Sequence, residues 1–222
     1  RGLGDVYKRQ ELNGYNAIAI GPGIGKDGET QWAFRAQLKM LLDLETSGNP
    51  MPLVLDADAL NILAQDYQLL TYLPAETVLT PHIGELKRIC AALELPHETR
   101  EEQLSSAQSI ATSLQVHVVV KSHQTHICTN DGEVFQLDTQ GNSGMAKAGS
   151  GDVLTGIIGS LLVQGYSAKS AALLGVYIHH QSGWRATVRY GKHSALASDF
   201  IAEIPHAFST LVSSNASQNE TI

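Results

Sequence analysis

Glycine recurs at positions 141, 144, 149 and 151 of the stretch "GNSGMAKAGSGDVLTGIIGSLLVQG", and one carboxylate, Asp152, stands just before an apolar run that starts at Val153. Glycine-rich backbone lets N–H groups converge on a ligand, and a helix N-terminus adds a partial positive charge of about half a proton. The natural guest is an anion such as phosphate. Asp152 puts negative charge where that anion would be welcome, so the pairing needs a chemical reason; the plain alternative is that Asp152 only caps the helix.

Four other groups stand in comparable places. Gly21-Pro22-Gly23-Ile24-Gly25 follows the apolar run Ala17 to Ile20, Asp56 and Asp58 follow "PLVL", His82 and Glu85 follow "TVLTP", and Lys121 ends "VHVVVK". Each has a structural reading as well. The Gly-Pro-Gly segment is a turn; Asp56 and Asp58 are candidate helix caps, Asp58 the favoured one; His82 is a candidate structural histidine; Lys121 is a candidate solvated strand end. His179 and His180 are adjacent and do not share a helix face, so they read as packing rather than metal ligands, as do Gly183 and Trp184 nearby.

The elements that would carry these groups repeat. Short apolar runs end in turns and are followed by helical periodicity: a strand over 17–20 and a helix from about Thr30 to Leu44; "PLVLDADALNIL" as strand then helix; "TVLTPHIGELKRICAAL" as strand, Thr-Pro turn and helix. "VHVVVK" is a β-branched strand, and "THICT" with "VFQLD" around Asn130-Asp131-Gly132 forms an antiparallel hairpin. Helices follow over Val153 to Val163, Ala168 to Val188 and Ala195 to Ile204. Repeated strand–loop–helix units make an α/β fold with a mainly parallel sheet and helices on both faces. In such sheets ligands bind beyond the carboxyl ends of the strands, where the five unusual segments gather.

Length and composition agree with one domain: 222 residues, 43% hydrophobic and 17% charged. A net charge of −7 disfavours nucleic acid or an anionic membrane as a partner, and the run around Val153 to Val163 is too short to span a bilayer. Cys90 and Cys128 read as reduced structural thiols of a cytoplasmic protein. The leader RGLGDVYKRQ (1–10) has no period and is set aside as non-native or disordered. The domain is expected over 11–210, with 211–222 a polar, frayed tail.

Six segments in this order, "GPGIG", "LDADALN", "LTPHIGE", "VVVKSHQT", the glycine stretch from Gly141 and "ALASDFIAEIP", resemble the ADP- or ATP-dependent NAD(P)H-hydrate dehydratases of the ribokinase-like superfamily. The resemblance covers nearly everything after residue 11. It implies repair of NADH or NADPH hydrate: phosphorylation of the ring hydroxyl by ADP, then loss of phosphate. It implies Asp152 as the catalytic base, the hydrate against Gly23, His82 and Asp152, and the nucleotide against Lys121, Ser122, His123, Gln124, Thr125, Gly149 and Gly151. It further implies Mg2+, with Glu85 an indirect ligand through water, and a homotetramer. "KSHQT" and "MAKAG" depart from the usual pattern; the second puts Lys147 and Ala148 beside the anion hole. The family's opening strand, glycine-rich loop and helix have no counterpart here, so the sheet is expected to be incomplete at its N-terminus. The rival readings are a ribokinase-like kinase of a hydroxymethyl-pyrimidine or thiazole alcohol, which His82 in place of Asn argues against, and an inactive nucleotide-binding remnant.

Overall fold

The computed structural model describes residues 12–137 and 141–219; the leader expectation falls on residues outside these. Its order is β1 (Ile18–Ile20), α1 (Gly28–Thr46), β2 (Leu53–Leu55), α2 (Ala57–Gln65), β3 (Val78–Leu79), α3 (Ile83–Ala92), α4 (Arg100–Leu114), β4 (His117–Val120), β5 (His126–Cys128), β6 (Val134–Gln136), α5 (Ser150–Val163), α6 (Ala168–Tyr190) and α7 (Ala197–Asn219). The six strands form one sheet in sequence order, parallel from β1 to β4 and antiparallel from β4 to β6.

Two layers follow from the period-2 alternation of the strands. Leu53, Leu55, Leu79, Val118 and Val120 point to one face and pack with α1 to α4. Val54, Val78, Val119 and Ile127 point to the other and pack with α5, α6 and α7. Strands covered on both sides must be apolar throughout, and β2, β3 and β4 are buried at every residue. Among the described residues β1 pairs only with β2, and its middle residue, Ala19, is exposed. Both cysteines are free and buried, and burial pushes each thiol up to about 11.

The element bounds differ from the sequence expectation where caps decide them. α1 begins at Gly28 because the Asp27 side chain accepts from Thr30 N at 3.0 Å. α4 was missing from the expectation; Thr99 and Glu102 close a capping box, and Ala107, Ile110 and Ala111 give it a buried face. The last helix does not stop at Ile204. It continues through Pro205 to Asn219, so the tail expected to fray is helical to that residue; neither Gly nor another Pro follows Pro205 to interrupt it.

Candidate active site

The chemistry collects at the carboxyl ends of β2, β3 and β4 and at the N-terminus of α5. Gly21 turns the chain out of β1 at φ +137° against the next crossover: a methyl group there would stand 1.7 Å from Asp56 O, so no other residue fits. The following loop is tied down by Gly25 N donating to Asp58 Oδ2 at 3.0 Å. The favoured cap assignment is therefore corrected. Asp56 is the N-cap of α2, accepting from Ala57 N at 2.8 Å, and Asp58, two residues on in the first turn, serves the glycine loop instead. Ala57 itself takes φ +49°, a left-handed conformation that costs a non-glycine residue about 1 kcal/mol, and the Asp56 bond holds it there.

Asp56 does more than cap. It is buried, its Oδ1 lies 2.6 Å from Lys121 Nζ, and its Oδ2 accepts from Thr155 Oγ1 at 2.8 Å. One carboxylate thus joins β2, β4 and α5. Lys121 is not a solvated strand end: its side chain is 20% exposed and its ammonium faces the first turn of α5. A methyl group at Gly151 would come within 3.2 Å of Lys121 Nζ and 3.4 Å of Asp56 Oδ2, so glycine there keeps the lysine beside the helix N-terminus. Position 151 is glycine for closeness, since its φ is ordinary.

A cavity of about 570 Å³ opens over this point, walled by His82, Lys121, Ser122, His123, Thr125, Gly151 and, from α6, His179 and His180. Six expected residues therefore share one wall. His179 and His180, expected only to pack, face the cavity as well. Gln124 does not: its carbonyl accepts from Ser122 Oγ, and its side chain lies 3.2 Å from an Arg100 guanidinium nitrogen. Gly149, the left-handed N-cap of α5, and exposed Asp152 lie on the other flank of the first turn, on a separate groove between α5 and α7 lined by Val153, Ile157, Ile204 and Phe208. Gly23 is exposed in the loop after β1 and borders neither surface.

His82 caps α3. Its Nδ1 accepts from Gly84 N at 2.9 Å and Glu85 N at 3.2 Å, while Glu85 Oε2 accepts from His82 N at 2.8 Å, a capping box with histidine in the serine's place. The other ring nitrogen lies 3.2 Å from Glu85 Oε1, and just over half of the His82 side chain is exposed. Glu85 is buried with both oxygens committed to His82. Lys147 donates to His193 O at 3.0 Å, strapping the glycine loop to the α6–α7 turn, and is absent from the cavity wall. No group of three or more metal-ligating side chains occurs among the described residues.

An open α/β sheet with a glycine-rich loop feeding a buried helix, and a cavity at that helix's N-terminus, is the architecture of the ribokinase-like proteins. The solved ADP/ATP-dependent NAD(P)H-hydrate dehydratase from Bacillus subtilis, co-crystallised with ATP/Mg2+, shares it at a TM-score of 0.68 and 29% identity, over 88% of this chain and 64% of that one. The chain belongs to the NAD(P)H-hydrate dehydratase family, whose profile matches residues 4–206. It is 36% identical over 202 residues to the bifunctional NAD(P)H-hydrate repair enzyme of Moorella thermoacetica, covering 91% of this chain and 36% of the relative. It is 35% identical over 176 residues to the ADP-dependent (S)-NAD(P)H-hydrate dehydratase of Neisseria meningitidis, covering 78% of this chain and 55% of that protein. The chain thus spans about a third to just over half the length of these curated relatives.

Proposed function

We propose that the protein restores NADH and NADPH from their hydrates at the expense of ADP. The observation that carries this reading is the convergence of Lys121, Ser122, His123, Thr125 and Gly151 on one cavity at the N-terminus of α5, in a chain of this family. The nucleotide lies in that cavity with its terminal phosphate at the helix end, where oriented N–H groups and the Lys121 ammonium meet the charge of the transferring group. Asp152 stands on the acceptor's side of the same turn. It takes the proton of the ring hydroxyl as that oxygen attacks the β-phosphoryl group of ADP, releasing AMP. The C–O bond then breaks, phosphate leaves with that oxygen, and the neighbouring ring carbon gives up a proton to solvent as the ring double bond re-forms. His82 and the Gly23 loop contact the hydrate.

Magnesium prefers oxygen ligands and commonly rides on substrate phosphates with one or two carboxylates. Two nearby carboxylates are committed, Asp56 to Lys121, Thr155 and Ala57 N and Glu85 to His82, while exposed Asp152 stands on the other flank of the same turn. A magnesium ion brought in on the nucleotide phosphates would neutralise their charge there, and Glu85 would reach it through a water. The two buried free thiols suit a reducing cytoplasm, and the assembly is a homotetramer, as the family resemblance implies. The test mixes the protein, ADP, Mg2+ and NADH hydrate and follows reduced-nicotinamide absorbance, with AMP and phosphate measured in equal amounts. Absorbance that stays flat while a dehydratase control restores it would refute the reading.

A further inference from the structure

We infer that the Ser150 hydroxyl is a phosphate-binding donor of the cavity and that His179 aims it. The inference rests on the proposed nucleotide site and adds two residues to it. Ser150 is the first residue of α5, is buried, and lies in the cavity wall beside Gly151. His179, on α6, reaches it across the wall: Nε2 is 2.9 Å from Ser150 O and 3.1 Å from Ser150 Oγ. The ring is held edge-on against Phe200 of α7, centroids 6.2 Å apart.

The proton positions follow from these contacts. A backbone carbonyl can only accept, so Nε2 carries the hydrogen and shares it between Ser150 O and Oγ. The serine oxygen is then an acceptor toward His179, and its own proton is left to donate. Among the described residues no protein acceptor takes that proton. Burial, aided by the neighbouring His180 and Lys121, pushes the His179 pKa down to about 4, so the ring is neutral and the pattern holds at neutral pH. A buried hydroxyl with an unspent proton, in a cavity wall that also holds the Lys121 ammonium, is a donor waiting for an acceptor. Lys121 Nζ and the α5 N–H groups flank it, so an anionic oxygen bound by them is the group it would meet. His179 is a positioning residue that acts through its bonds to Ser150.

The experiment titrates ADP, with adenosine as the phosphate-free control, into the unsubstituted chain, Ser150→Ala, His179→Phe, His179→Gln and the Ser150→Ala/His179→Phe pair, by calorimetry. Ser150→Ala should weaken ADP about 10-fold or more, the range of a hydrogen bond to a charged group, and leave adenosine unchanged. His179→Phe should weaken ADP similarly, His179→Gln, which keeps an N–H, should recover most of the loss, and His179→Phe should add less than about twofold once Ser150 is Ala. ADP binding within about twofold of normal in Ser150→Ala overturns the inference, and that variant decides the matter alone if His179→Phe fails to fold. An unsubstituted chain that binds no ADP overturns the nucleotide reading of the cavity, and this inference with it.

Discussion

Replacing Asp56 with alanine should cost more stability than any other single change at the site. The substitution strands the Lys121 ammonium, whose partner oxygen was 2.6 Å away, removes the acceptor of the Thr155 hydroxyl, and uncaps α2. Breaking a buried ion pair by deleting one member costs about 3–5 kcal/mol, and losing an N-cap about 1 kcal/mol. Lys121 is 20% exposed and borders the cavity, so its ammonium can turn toward water, which sets the pair at the lower bound. The expected loss is about 4 kcal/mol, or a fall in Tm of about 8–16 °C for a chain of this size. Asp56→Asn keeps an acceptor for Thr155 and the cap and should lose about half as much. Lys121→Met placed on Asp56→Asn should cost far less than it does alone, because the charge it removes is already unpaired. The assay is thermal unfolding by circular dichroism at neutral pH. A Tm for Asp56→Ala within about 3 °C of the unsubstituted protein would show that the carboxylate does not join the three elements energetically.

Asp152→Asn should lower hydrate repair by about 10²–10⁴-fold while ADP affinity and Tm stay near normal, because the side chain is exposed and outside the cavity wall; more than half the original rate would remove it from the role of base. Lys147→Thr should leave ADP affinity unchanged even at low ionic strength, since the amine binds His193 O; a salt-dependent weakening would mean that it reaches the phosphates. His179 is held neutral in the fold, with its pKa lowered from 6.5 to about 4, so the unfolded chain binds its proton first. Its contribution is complete above about pH 6.5 and is lost as pH falls toward 4, at most about 3 kcal/mol and less because the ring borders the cavity. Urea unfolding between pH 7 and 4.5 should show that slope, and His179→Gln should flatten it; an equal slope in the variant would assign the dependence elsewhere.

The architecture was legible because strands covered on both faces must be written as unbroken apolar runs, and "PLVL" and "VHVVV" are such runs. Lys121 and the glycines before α5 stood out from the residues themselves, whereas Ser122, His123 and Thr125 entered only through the family resemblance. Asp56 was visible only as a cap candidate. Its partners lie 65 and 99 residues away, and no local pattern reports a contact of that separation. His179 was set aside because adjacent histidines do not share a helix face; the cavity, however, meets α6 broadly enough to include both. Thr99-x-x-Glu102 was a readable helix start that the more conspicuous β-branched run after it obscured.

The division of the helices between the two faces sets an order of assembly. α1 to α4 are the crossovers between successive strands, so the layer they form is built from neighbours in the chain and can gather as each strand emerges from the ribosome, at about 5–20 residues per second. Among the described residues the helices of the opposite layer are α5, α6 and α7, which follow β6 in the chain. Until residue 150 and beyond are synthesised, Val54, Val78, Val119 and Ile127 lack the α5–α7 side chains that they pack against, and Asp56 and Lys121 have each other but not Thr155. Closing that side of the sheet is therefore the high-contact-order step, which should limit the folding rate.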